Sequence, residues 1–223
     1  MTAPFRLHCV GGLCNRLRAL LSYRALYGAI EVMWYPDQAI AMASWSDVFE
    51  PLPGLEIVPF VQNGWDAEDF APSPTAPVGW EKSYLELRAK PAIQDRVARI
   101  VSGLGSDFCA MHLRRTDHLQ NFAGHQGRIE SDSAYAAWAN PLGLPVYLAT
   151  DNGQTQRRMR DLLTVPMHIA RTLGGEVTAM DATRNGTLAD AVVDLFVCGK
   201  SQHFKGSVSS SFSDTIEILR RLR

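Results

Sequence analysis

The stretch Phe5-Arg6-Leu7-His8-Cys9-Val10-Gly11-Gly12-Leu13-Cys14-Asn15-Arg16-Leu17, with its continuation to Tyr27, decides the fold. A short apolar run meets a glycine pair, and apolar residues then recur at helical spacing, which reads as strand, glycine turn, helix. Apolar runs at 30–35, stopped by Pro36, and at 55–60, after the Pro53-Gly54 turn, read as two more strands. Residues 61–80 carry Pro72, Pro74 and Pro77, an Asn63-Gly64 pair and an acidic cluster without periodicity, and are expected to form a long loop. Helical spacing returns over 84–104, where Pro91 is expected to interrupt the helix by removing a hydrogen bond and crowding the preceding turn.

The second half repeats the alternation. Strands are expected at 108–113, 146–150, 165–169 and 203–204, with helices around 133–138, 154–163, 187–198 and 214–222. Strands that alternate with helices indicate a parallel α/β arrangement. The expected division is into two lobes, 1–104 and 105–223.

Composition excludes several classes. The 223 residues suffice for a sizeable core, with 46% hydrophobic and 20% charged side chains. The 22 basic residues nearly balance 23 acidic ones, so the basic excess usual in nucleic-acid-binding proteins is missing and no nucleic-acid partner is expected. No run reaches the ~18 apolar residues of a membrane span, and the N-terminal sequence lacks a signal-peptide core. Cys9, Cys14, Cys109 and Cys198 show no Cys-x-x-Cys spacing and lie in or beside apolar segments. Reduced, partly buried thiols and a cytoplasmic location are therefore expected.

Three polar clusters sit where strands end, the place at which open α/β sheets bind ligands. The first is His112-Leu113-Arg114-Arg115-Thr116-Asp117. Two arginines leaving a buried strand call for an anion, either a ligand phosphate or a surface pairing with Asp117. The second is Ala149-Thr150-Asp151-Asn152-Gly153, which suits both a sugar contact and a plain turn. The third, Gly206-Ser207-Val208-Ser209-Ser210-Ser211-Phe212-Ser213, leads into the last helix and suits a phosphate cradle or a serine cap. Upstream, Asp190 and Asp194 are four residues apart and share a helix face, as a guanine-binding carboxylate or as a solvated pair.

Absences narrow the chemistry. Gly199-Lys200-Ser201 imitates the end of a P-loop, but Asp194 stands where its first glycine belongs. No Asp-x-Asp, His-Glu-x-x-His or Gly-x-Ser-x-Gly pattern occurs. No metal site is expected, and charge neutralisation falls to arginine.

In this order, GGLCNRL (11–17), HLRRTD (112–117), YLATDN (147–152) and VDLFVCGKSQHFKGSVSSSFS (193–213) resemble the fucosyltransferase superfamily of core α1,6-fucosyltransferases, nodulation fucosyltransferases and protein O-fucosyltransferases. The resemblance implies a GT-B-like fold of two Rossmann-like lobes with a reduced, acceptor-side N-terminal lobe. It implies an inverting, metal-independent transfer of fucose from GDP-fucose to a glycan or peptide hydroxyl, with no cofactor beyond that donor. Carried over by position, His112 and Asp194 hold guanine, and Arg114, with Arg115 beside it, holds the β-phosphate. Ser210, Ser211 and the Phe212 backbone receive the diphosphate, Asp151 assists the donor or the arginines, and Asn15 faces the cleft. In the core α1,6 pattern a lysine follows the aspartate and a glutamate lies a few residues on, whereas His118 and Phe122 stand there here. The general base is thus open among Asp117, His118, His125 and Glu130, with Asp117 taken with Arg114 as the catalytic pair. Two other readings use the same residues: transfer from a different GDP-sugar, and a non-catalytic GDP- or glycan-binding module.

Overall fold

A computed structural model describes residues 3–35, 43–59, 64–115, 129–173 and 187–223. Asp117, His118 and His125 lie outside the described residues. The chain divides into one unit of residues 1–91 with 221–223 and another of residues 92–220.

In the first unit, β1 (Phe5–Cys9) turns through Gly11, whose φ of +82° suits a residue without Cβ, into α1 (Leu13–Tyr27). Leu13, Leu17, Leu20 and Leu21 are buried on this helix, each contributing about 1.5–3 kcal/mol of transfer free energy. The helix ends at Gly28, whose N–H returns to the Arg24 carbonyl. Then come β2 (Ile30–Met33), the short α2 (Trp45–Val48), β3 (Leu55–Val58) and β4 (Ala67–Asp69). The strands pair in parallel in the order β3-β2-β1-β4.

Strand β4 corrects the long-loop expectation for 61–80. Ala67-Glu68-Asp69 is too short and too polar to show a strand pattern, and backbone pairing with Leu7, His8 and Cys9 on β1 forms it. A 3₁₀ turn, Trp80–Glu86, is tied to α1 by the Arg24–Glu86 ion pair. Pro91 does not break a helix but starts one: it is the first residue of α3 (Pro91–Leu104), where its missing N–H has no partner to lose. All but that first residue of α3 is grouped with the second unit.

The second unit alternates β5 (Cys109–Leu113), α4 (Asp132–Ala139), β6 (Val146–Thr150), α5 (Gly153–Leu162), β7 (Met167–His168), α6 (Leu188–Cys198), β8 (His203–Lys205) and α7 (Ser211–Arg221). Its parallel order is β7-β6-β5-β8, the same winding as in the first unit. Side chains alternate across β5. Cys109, Met111 and Leu113 join Tyr135 of α4 and Met159 of α5 in one core cluster, while His112 meets Ser213 of α7. Tyr147 of β6 likewise meets Asp194 of α6. All four cysteines are buried and free, as expected for reduced thiols, and burial pushes the Cys9 thiol up to about 12. No helix among the described residues is long and apolar enough to cross a membrane.

Gly54 and Gly79 share positive φ but differ in surroundings. A methyl on Gly54 meets the Gly28 carbonyl oxygen at 2.3 Å, whereas one on Gly79 has nothing within 4 Å. Gly79→Ala should cost about 1–2 kcal/mol from the left-handed backbone alone, and Gly54→Ala distinctly more. Chemical denaturation of both variants checks this, and equal losses would contradict the close approach.

Candidate functional site

Four parallel strands bring their carboxyl ends to one edge of the second sheet. β6 and β7 follow β5 to one side and β8 returns on the other, so the topological switch lies between β5 and β8. A cavity of about 130 Å³ opens at this edge. It holds roughly ten times the ~10–15 Å³ that one water needs, which makes it a ligand-sized hollow rather than a packing defect. Its wall includes His112 on β5, Arg114 just after it, Asp151 after β6, Arg171 after β7, Asp194 on α6 and Phe212 on α7.

The serine loop after β8 is stitched to the end of β5. Ser207 Oγ accepts from the Arg114 N–H at 2.9 Å and donates to the His112 carbonyl at 3.0 Å. The Tyr135 hydroxyl donates to the Gly206 carbonyl at 2.9 Å. His112 Nδ1 lies 2.8 Å from Ser213 Oγ, and its ring sits 4.6 Å from that of Phe212. His112 is thereby fixed at the cavity wall with one ring edge committed to the protein. Ser209 adopts φ +56°, an uncommon conformation for a residue with a Cβ. Ser210 beside it is buried, and its hydroxyl has no hydrogen-bond partner among the described residues, a state that costs about 1–3 kcal/mol.

The two arginines divide. Arg114 lines the cavity. Arg115 is buried elsewhere, with Nε and Nη2 donating to Asp132 Oδ1 at 3.2 and 2.8 Å, Nη2 also donating to the Glu130 carbonyl, and the guanidinium 5.6 Å from the Tyr135 ring centre. It is therefore not part of the cavity wall that Arg114 lines, because consecutive residues leaving a strand point opposite ways. Asp151 accepts from the Arg115 N–H at 2.9 Å and also lines the cavity, so it orders the arginine segment. The Glu130 carboxylate pairs with Lys205.

Asp190 and Asp194 both line the cavity, as their spacing predicts. Burial would raise the Asp190 carboxyl, but hydrogen bonds from Arg96 at 2.7 Å and from Thr187 outweigh it and hold the group below its ordinary range. Arg171 Nη1 adds a contact at 3.4 Å, so Asp190 ties α3 and the segment after β7 to α6. Asp194 differs. Burial pushes its carboxyl up to about 7, although a 2.6 Å hydrogen bond from the Tyr147 hydroxyl works in the opposite direction.

Sequence reading missed Tyr147, Arg171 and Gln156. Gln156 lines the cavity and fixes its rim, donating to the Arg171 carbonyl and accepting from the Leu173 N–H. Ala170-Arg171 follows the third strand of this sheet, so the rule that singled out the other strand ends also applied there. Asn15 belongs to the first unit, where its side chain packs against Gly11. Ser211 opens α7, and Ser210 and Ser211 are not part of the cavity wall, whereas Phe212 is. Among the described residues, no three His, Cys, Asp or Glu side chains gather as metal ligands.

No protein-family model and no curated sequence matches the chain. Solved structures do. NodZ α-1,6-fucosyltransferase soaked with GDP-fucose is 15% identical and aligns over 97% of this chain and 93% of its own, with a TM-score of 0.59. Fucosyltransferase NodZ from Bradyrhizobium, in its selenomethionine form, aligns at 13% identity over 98% and 93% with a TM-score of 0.63. POFUT1 in complex with GDP-fucose aligns at 12% identity over 98% and 95% with a TM-score of 0.60. The fold is that of NodZ and POFUT1. It is the expected α/β, GT-B-like architecture, kept at a sequence identity too low to carry individual side chains from one protein to another.

The raised carboxyl of Asp194 in this NodZ-like fold has a consequence for stability. A carboxyl near 7 when folded and near 3.8 when unfolded holds its proton more tightly in the folded chain. Stability from this group is therefore full below about pH 4 and is lost as pH rises to about 7. Asp194→Asn removes the loss and keeps an acceptor for Tyr147. The variant should gain thermal stability over wild type progressively between pH 4 and 7, by on the order of a few kcal/mol at the upper end. Melting curves across that range test it, and a gap independent of pH would refute it.

Proposed function

We propose that this chain is an inverting, metal-independent glycosyltransferase that moves fucose from GDP-fucose to a hydroxyl of a glycan or peptide acceptor. One observation carries the reading: an arginine and a half-buried aspartate, Arg114 and Asp194, face the same cavity at the switch point of a parallel sheet. That wall suits the two ends of a guanine nucleotide, a charge-accepting phosphate and a donor-rich base edge. The shared fold with proteins solved with GDP-fucose supports it.

In this reading the Asp194 carboxylate accepts from the N1–H and N2 amine of guanine, and His112 borders the base. Adenine presents an acceptor and a donor in the wrong order and leaves the carboxylate poorly paired. Ser210, Ser211 and the Phe212 N–H at the start of α7 receive the diphosphate, with the unpartnered Ser210 hydroxyl gaining an acceptor. Arg115 and Asp151 hold the segment from which Arg114 projects. Asn15 serves the acceptor side from the first unit, and Asp117 serves the reacting hydroxyl. The four buried thiols accord with a reducing, cytoplasmic setting.

Chemistry then turns on one charge. As the acceptor oxygen attacks the anomeric carbon, the bond to the β-phosphate breaks and negative charge grows on the leaving diphosphate. Arg114 meets it with directional, charge-assisted hydrogen bonds, in a wall already built before the charge appears. Such a donor lowers a barrier by about 2.7–4 kcal/mol, a hundred- to thousand-fold in rate.

Arg114→Ala should therefore lose about 100- to 1,000-fold in kcat with its melting curve retained, and Arg114→Lys should recover only part, because an ammonium lacks the planar fork. The assay is GDP-fucose turnover on glycan and peptide arrays with chelator present. Near-normal turnover by Arg114→Ala removes the assigned role, and activity that a divalent ion restores removes metal independence. Calorimetry should show GDP binding far more tightly than ADP or UDP, with Asp194→Asn levelling the three. Turnover of another GDP-sugar, or GDP binding without any turnover, would put one of the two other readings in place of this one.

A further inference from the structure

Asp194 needs more than burial to recognise a base. A carboxylate that presents one edge to a ligand must be held in one rotation about its last bond, and that torsion is soft. The group that holds it is on β6. Tyr147 is 0% exposed and stands on the sheet face that meets α6, and its hydroxyl donates to Asp194 Oδ1 at 2.6 Å. Tyr147 is not part of the cavity wall, so it meets no ligand itself.

We propose that Tyr147 is the positioning residue of the nucleobase site, its buried hydroxyl pinning Asp194 Oδ1 so that the carboxylate meets the base in one orientation. This rests on the reading of Asp194 as the guanine acceptor. Every element around the carboxylate contributes a polar group. Asp190 precedes it by one turn on α6 and Cys198 follows by one turn, while Arg96 approaches from α3. His112, Arg114, Asp151 and Arg171 share the cavity wall with it. The described guanidinium contacts of Arg96 and Arg171 go to Asp190, which leaves Tyr147 as the neutral donor on Asp194. Burial raises the phenol well above its ordinary range, so Tyr147 keeps its proton wherever Asp194 titrates. The hydrogen bond favours the ionised carboxylate, the form that accepts from guanine, against a burial that favours the protonated one.

Tyr147→Phe deletes one oxygen from a packed ring and tests the arrangement directly. Carboxyl-carbon NMR of the ligand-free protein, with Asp194→Asn identifying the resonance, should show the Asp194 midpoint rising by about one pH unit in Tyr147→Phe. Site-specific 3-fluorotyrosine at position 147, a stronger donor of nearly the same shape, should lower it. GDP affinity of Tyr147→Phe should fall about tenfold at pH 7 and keep a loss of about twofold at about pH 8.5, where the carboxylate is largely ionised with or without the phenol and only its orientation differs. An unmoved midpoint, or a GDP affinity that returns to the wild-type value once the carboxylate is ionised, would overturn the proposal. Wild type that fails to bind GDP while the midpoint still moves would remove the nucleotide reading and leave the hold of Tyr147 on Asp194 standing.

Discussion

Parallel pairing of β5 with β6 and β8 is the constraint on which the site depends. Strands that run the same way must all end on the same edge, and the register Leu113 with Thr150 on one side and Met111 with Lys205 on the other sets how far each projects. The polar segments that follow are then neighbours however distant in sequence. Ser207 bonds to both His112 and Arg114 from more than 90 positions away. Without that edge, the serine loop and the arginine segment would be two unrelated surface turns.

Around this edge, charge is handled in two opposite ways. Asp190 is surrounded by donors and stays ionised, so it works as a tether between three segments. Asp194, one helical turn later, has burial and a single phenol and sits near neutrality. The same residue type on the same face thus becomes a strut at one position and an incompletely satisfied acceptor at the next. Incomplete satisfaction is what a binding group retains in order to gain from its ligand.

Much of this was legible in the sequence, for reasons that differ by residue. Strand β6 is all but fully buried and flanked by turn residues, and its limits were read without error. The shared face of Asp190 and Asp194 follows from helix geometry alone. The fates of Arg114 and Arg115 were not legible, since identical neighbours differ only in which side of the chain they leave, and Asp132, the partner that decides it, is 17 positions away. Strand β4 was hidden because its stability comes from β1 rather than from its own side chains. Tyr147 was hidden by good burial: within an apolar strand it reads as core, and only the position of α6 gives its hydroxyl a purpose.

Both sheets are wound alike, with the third, second, first and fourth strands side by side. Each therefore splits its loops at a crevice of its own, one following β1 and β4 and the other following β5 and β8. A chain of 223 residues so carries one winding plan twice. Because each sheet makes its own strand pairings, a substitution in the loops that follow one sheet leaves the ladder of the other untouched.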